Sequence, residues 1–133
     1  MAEKIQFELV SPAKLLVSSA VDMVVVPGTE GDFGALPRHA PLIATVRPGV
    51  IDVHDAGKIS NRIFVAGGFA EVNEERITVL AEEAIPVADL TADLAAERVK
   101  DAQEALADAR TDAEKAAAEQ KLLVANAMKA AAA

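Results

Sequence analysis

The chain has 133 residues, enough for one ordinary domain or a small domain with an appendage. It has no cysteine, so disulfides, thiolate zinc sites and cysteine nucleophiles are excluded, and a reducing compartment is consistent with that. The formal net charge of −8 argues against a phosphate-backbone binder, and therefore against nucleic acid as a partner.

The N-terminal stretch MAEKIQFELV has no apolar core of signal-peptide length. No segment approaches the length of apolar run that spans a bilayer, so the chain is expected in the cytoplasm, without direct membrane insertion. Ile5, Phe7 and Leu9 alternate with Lys4, Gln6 and Glu8, the period of a half-buried strand. Ser11-Pro12 ends it. Leu15–Ser19 and Val21–Val26 are two further β-rich runs.

Pro27 to Ile43, PGTEGDFGALPRHAPLI, is the most distinctive stretch. Three glycines, three prolines, Glu30, Asp32 and His39 fall within seventeen positions. It reads as a repeatedly turning loop between a strand that enters at Val24-Val25-Val26 and one that leaves at Leu42. Beyond it, Leu42–Val46, Val50–Val53, Ile59–Val65, Phe69–Val72 and Ile77–Leu80 read as strands, with Asp55-Ala56-Gly57 and Asn73–Arg76 as turns. Gly67-Gly68 lets backbones approach or bend. Eight to ten short strands at this spacing indicate an antiparallel sandwich or barrel.

The composition changes at Pro86. All seven glycines, six prolines and four phenylalanines lie at or before it, whereas residues 88–133 hold 18 alanines and none of those three types. Two modules are expected, a β domain over 1–87 and a helical domain over 88–133. Thr91 caps a first helix with the seam Ala95, Val99, Ala102, Leu106, Ala109. Thr111-Asp112-Ala113-Glu114 fits a capping box for a second, in which Ala116, Leu123, Ala127 and Ala130 face the first, with Leu122, Val124 and Met128 beside them. One continuous helix through Thr111 is the alternative. Alanine seams bury little area, so the hairpin is expected to be weakly anchored.

Chemical motifs are sparse. Gly28, Gly31 and Gly34 match neither a P-loop nor a dinucleotide loop and read as turn glycines. His39 and His54 lack ligand partners at metal spacing, so no metal site is expected; His39 reads either as an interface residue or as an inert loop position. Glu82-Glu83 and Glu74-Glu75 read as ordinary surface charges. Glu30 and Asp32 have no companion base or nucleophile, so a binding or coupling protein is indicated over a catalyst. Three functional classes stay in play: a coupling subunit, a free-standing β-sandwich module for a small molecule or basic peptide, and an isomerase or lyase using Glu30 or Asp32.

Four ordered blocks carry a resemblance: PGTEGDFGALPRHAPLI, RPGVIDV (47–53), GGFAEV (67–72) and ITVLAEEA (77–84), with FELVSPAKLL (7–16) also similar. Together they resemble the epsilon subunit of bacterial F-type ATP synthase over residues 3–86; the tail fits by composition and length. The resemblance implies a ten-stranded β-sandwich followed by an α-helical hairpin. It also implies a non-catalytic rotor-stalk subunit without a cofactor, bound to the gamma subunit and the c-ring at the cytoplasmic face of the inner membrane. Glu30, Asp32 and Phe33 would face the c-ring, and His39, Pro41, Leu42 and Ala44 would face gamma. The tail would reach the alpha and beta subunits and restrain ATP hydrolysis, although its nine acids outnumber six bases. Where ATP-binding relatives carry an (I/L)DxxRA-like pattern, this chain has Thr91 for the acid and Leu94 for the arginine, so no ATP site is expected.

Overall fold

The computed structural model describes residues 3–12 and 14–132. The extreme ends of the two expected modules, and Ala13 within FELVSPAKLL, lie outside the described residues. Ten strands form in chain order: β1 (Ile5–Ser11), β2 (Lys14–Val21), β3 (Met23–Gly28), β4 (Gly31–Ala35), β5 (Leu42–Val46), β6 (Gly49–Asp55), β7 (Lys58–Val65), β8 (Gly68–Val72), β9 (Arg76–Ala81) and β10 (Ala84–Pro86). A short 3-10 turn over Val87–Asp89 leads to α1 (Ala92–Asp108) and α2 (Asp112–Ala132).

The strands run β10-β7-β6-β3-β5-β8-β9-β1-β2, with β4 paired to β3. β3 and β5 are joined through a single pair, Gly28 with Val46, so the sheet folds over there into two layers of five. The core between them follows from alternation. Ile5, Phe7 and Leu9 point inward from β1, Val24 and Val26 from β3, Ile51 and Val53 from β6, and Ile77 and Val79 from β9, all nearly or fully buried. The expected pairing of β8 with β9 is present in register, Phe69 opposite Leu80 and Val72 opposite Ile77. The turn at Ala56-Gly57 closes β6 on β7 with both residues at positive φ, 54° and 79°, as a two-residue hairpin requires.

Two expectations about the sheet are corrected. The sandwich is not wholly antiparallel, since β1 runs parallel to β9. The Pro27–Ile43 stretch is not all loop, because β4 forms inside it and closes on β3 across the two-residue turn Thr29-Glu30. Gly28 and Gly34 accordingly sit on strands and not in turns.

The helices form an antiparallel pair rather than one continuous rod. Thr91 Oγ1 accepts from the Leu94 amide, and Thr111 Oγ1 accepts from the Glu114 amide. The return bond of the second cap reaches the Arg110 amide from Glu114, one residue earlier than a standard capping box. The seam expected on α2 is corrected: Ala118, Ala125 and Met128 are buried, while Ala116, Leu123 and Ala130 are exposed. The helices also cover the outer side of β7, where Phe64 and Ala66 pack with Leu90, Ala95 and Met128. Phe64 points away from Ile63 and Val65, which serve the main core, so this cluster is separate. Glu83 is not an ordinary surface charge, since Arg98 of α1 donates to both its oxygens, at 3.1 and 2.7 Å.

Elsewhere on the sandwich, Lys4 bridges Asp22 (3.0 Å) and Asp55, and Asp22 also accepts from the Ala56 amide at 2.8 Å. The Lys4 hydrogen bond, then the Ala56 amide, hold the Asp22 carboxyl below its ordinary range. The hydrogen bonds that Lys4 donates to Asp55 and Asp22 likewise raise its pKa. A depressed acid contributes stability above its unfolded pKa and loses it as pH falls through the folded value. The melting temperature is therefore expected to fall from about pH 4 downward more steeply in the natural chain than in Asp22→Asn. Parallel acid-limb melting curves for the two would contradict this.

Candidate functional site: a braced hairpin beside an apolar sheet face

The turn Thr29-Glu30 sits at the tip of the β3–β4 hairpin, where both its residues are exposed. Gly28–Phe33 on one side and Leu42–Thr45 on the other line a shared open groove of about 470 Å³. The groove exists because β5 pairs with β8 along its length but pairs with β3 only at Val46. Asp32 is exposed on β4, and Arg47 Nη2 donates to its Oδ1 at 2.6 Å. Phe33 is half-buried and packs on the main core, so it forms the wall of the groove.

His39, Pro41, Leu42 and Ala44 fall in two groups. Leu42 and Ala44 line the groove, whereas His39 and Pro41 lie on the preceding turn and do not. That turn is held by the Arg38 amide donating to Glu74 O (2.7 Å) and the His39 amide to Leu36 O (3.1 Å). Arg38 also pairs with Glu3 at 2.6 Å. His39 Nδ1 lies 2.6 Å from the Ala40 carbonyl. The structure thus brings Glu30, Asp32, Phe33, Leu42 and Ala44 to one groove and leaves His39 and Pro41 beside it.

Sequence reasoning missed the most exposed apolar residue of the groove, Ile43, at 76%. It also missed a row across the outer face of the second layer. Register places Thr45, Phe69, Leu80, Val10 and Leu15 side by side on β5, β8, β9, β1 and β2. Phe69, Leu80 and Leu15 are each more than half exposed. The missed signal was a break in alternation: positions pointing away from Ala70 and Val79 should be polar, yet they are Phe and Leu.

Thr91 and Leu94 both have structural occupations. Thr91 caps α1, and Leu94 is half-buried against the Phe64 cluster. A second open space of about 450 Å³ lies between the helices and the sandwich, lined by Glu83, Arg98, Gln120, Lys121 and Val124 among others. Among the described residues no cluster of His, Asp or Glu could hold a metal ion, and no helix is long and apolar enough to cross a membrane.

The family model described as "ATP synthase, Delta/Epsilon chain, beta-sandwich domain" matches residues 4–87. The chain is 75% identical over 131 residues to an ATP synthase epsilon chain of Paramagnetospirillum magneticum, covering 98% of each. It is 57% identical, with the same coverage, to the Rhodospirillum rubrum epsilon chain. Its fold matches a chain of the Euglena gracilis mitochondrial ATP synthase with TM-score 0.79 at 23% identity, covering 96% of this chain and 81% of that one. A chain of the Tetrahymena thermophila mitochondrial ATP synthase central stalk and c-ring matches with TM-score 0.74 at 14% identity, covering 98% of each. By sequence over nearly its whole length, and by fold, this chain belongs to the ATP synthase epsilon-chain family.

Proposed function

We propose that the chain is a non-catalytic rotor-stalk subunit of an ATP synthase at the cytoplasmic face of a bacterial inner membrane. In this reading it links gamma to the c-ring and couples proton flow to ATP synthesis. The observation that carries it is the juxtaposition of two surfaces of different chemistry: the acidic hairpin tip, and next to it the apolar row from Thr45 to Leu15. A linker between two partners needs two such surfaces on one rigid body. Glu30, Asp32 and Phe33 belong to the ring side. Leu42 and Ala44, with Ile43 and the Phe69–Leu80 row, belong to the gamma side, flanked by His39 and Pro41. A non-catalytic role is supported by the acids themselves, since Asp32 is engaged by Arg47 and Glu30 lies on an exposed turn rather than in a desolvating pocket.

The test separates the two surfaces in the complete complex. Glu30→Lys is expected to weaken ring attachment while the chain still captures gamma, because it reverses the one uncompensated charge at the tip. Phe69→Asp is expected to weaken gamma capture first. Undisturbed proton-driven ATP synthesis after clean deletion of the chain would refute the coupling role.

The helical tail is expected to have no ATP affinity. Thr91 and Leu94 are occupied in capping and packing, and Arg98 is held by Glu83. Calorimetric titration of the full chain with ATP checks this, and saturable heat would show that other residues supply the site.

A further inference from the structure

We infer that Arg47 is a positioning residue for the ring-facing tip, and that it divides the two acids: Asp32 is an internal brace and Glu30 is the carboxylate that meets the partner. This rests on the ring-contact reading above. Arg47 stands where β5 turns into β6, within hydrogen-bond reach of the hairpin. Its Nη1 donates to the Gly28 carbonyl on β3 at 2.6 Å, and its Nη2 donates to Asp32 on β4 at 2.6 Å. One guanidinium therefore holds both strands of the hairpin. Its own amide donates to Pro27 O at 2.8 Å, and the Thr29 amide donates to Thr45 O at 2.9 Å. Four bonds tie the tip to the β5–β6 corner.

The fork geometry is specific to arginine, because a lysine ammonium is a point charge that cannot present two parallel donors in one plane. The charge consequence follows directly. Asp32 and Arg47 compensate each other, whereas Glu30 has neither an ion pair nor a hydrogen bond among the described residues. The tip offers one net negative charge at a set place. A partner side chain that meets it is cationic, with an aliphatic stem able to lie along Ile43 in the same groove.

Two measurements test this. In the isolated full chain, Arg47→Gln should speed amide exchange at Thr29–Gly31 by about fivefold, the order expected for one exposed ion pair. The exchanged pair Asp32→Arg with Arg47→Asp should recover the part of that protection that comes from the ion pair, but not the part that comes from the Gly28 bond. Unchanged exchange in Arg47→Gln overturns the proposal.

In the whole complex, the readout is the salt concentration at which the chain leaves the ring. Arg47→Gln should lower it at least as much as Asp32→Asn, and their double variant no further than Arg47→Gln alone, a non-additivity that marks two residues acting as one unit. The exchanged pair should restore it in part. If Asp32 instead met the ring directly, the exchanged pair would bring an arginine to the contact and bind worse than either single variant, which would overturn the division of roles. Altered exchange combined with retention indifferent to Glu30→Gln would sink the ring-contact reading alone and leave the bracing role standing.

Discussion

Gly68→Ala is expected to be the most damaging single substitution outside the hydrophobic core. Gly68 opens β8 at φ +149°, and a Cβ there would stand 1.9 Å from the Leu80 carbonyl oxygen and 2.9 Å from its carbon. The obstacle is backbone of β9 across the ladder, which cannot rotate aside as a side chain would. Relief needs β8 and β9 to separate, and this pair places Ala70, Val72, Ile77 and Val79 in the core. Backbone strain and overpacking together cost about 4 kcal/mol, a large share of the stability of a domain this size. The melting temperature should drop on the order of 15 °C. Gly31→Ala is the control: its φ is +129° but nothing lies within 4 Å of the added carbon, so only the strain remains. Equal losses in the two variants would show that the close approach to Leu80 is not what matters.

A chain ending at Val87 is expected to keep its sandwich but lose a measurable part of its stability. The main core draws on strands from Ile5 to Ala81, with Leu16, Val17, Phe33 and Ala84 packed against it, and includes no helical residue. The cost arises on the other side of β7. There Phe64 is fully buried and packs with Leu90, Ala95 and Met128, all of which would be gone. Re-exposing one such ring costs about 1.5–3 kcal/mol. The Arg98–Glu83 pair is more than a third exposed at each side chain and adds at most about 1 kcal/mol after screening. Guanidinium unfolding should show one cooperative transition for the truncated chain, at lower denaturant. Phe64→Ser should destabilise the full chain by about 3 kcal/mol yet be nearly neutral in the short one, where the ring already faces water. An unfolded 1–87 chain by circular dichroism would mean that the hairpin completes the core, and the proposed division at 87/88 would fall.

Residue patterns gave different amounts of information in different places. Alternation in β1 was plain because that strand buries one face, and the pairing of β8 with β9 was plain from the polar turn between them. The Thr91 and Thr111 caps were plain because capping is a local bond within four residues. β4 was hidden, since Gly31-Asp32-Phe33-Gly34-Ala35 has little strand propensity and becomes a strand only by pairing with β3. The α2 seam was placed on the wrong residues for a related reason. In so alanine-rich a helix several faces are equally apolar, and contact with Phe64 and α1 chooses among them.

The amino-acid sequence by itself determined that a β module precedes a helical one, where the helices start, and which residues of the first strand point inward. Those are consequences of local bonds and of period. Only the tertiary structure decided that Asp32 is braced by Arg47, fifteen positions away, while Glu30 remains at the tip. It also decided that Phe69, Leu80 and Leu15 share one face, and that Glu83 reaches across to Arg98. Each of these depends on strand order and register, which long-range pairing sets and no short window of residues contains.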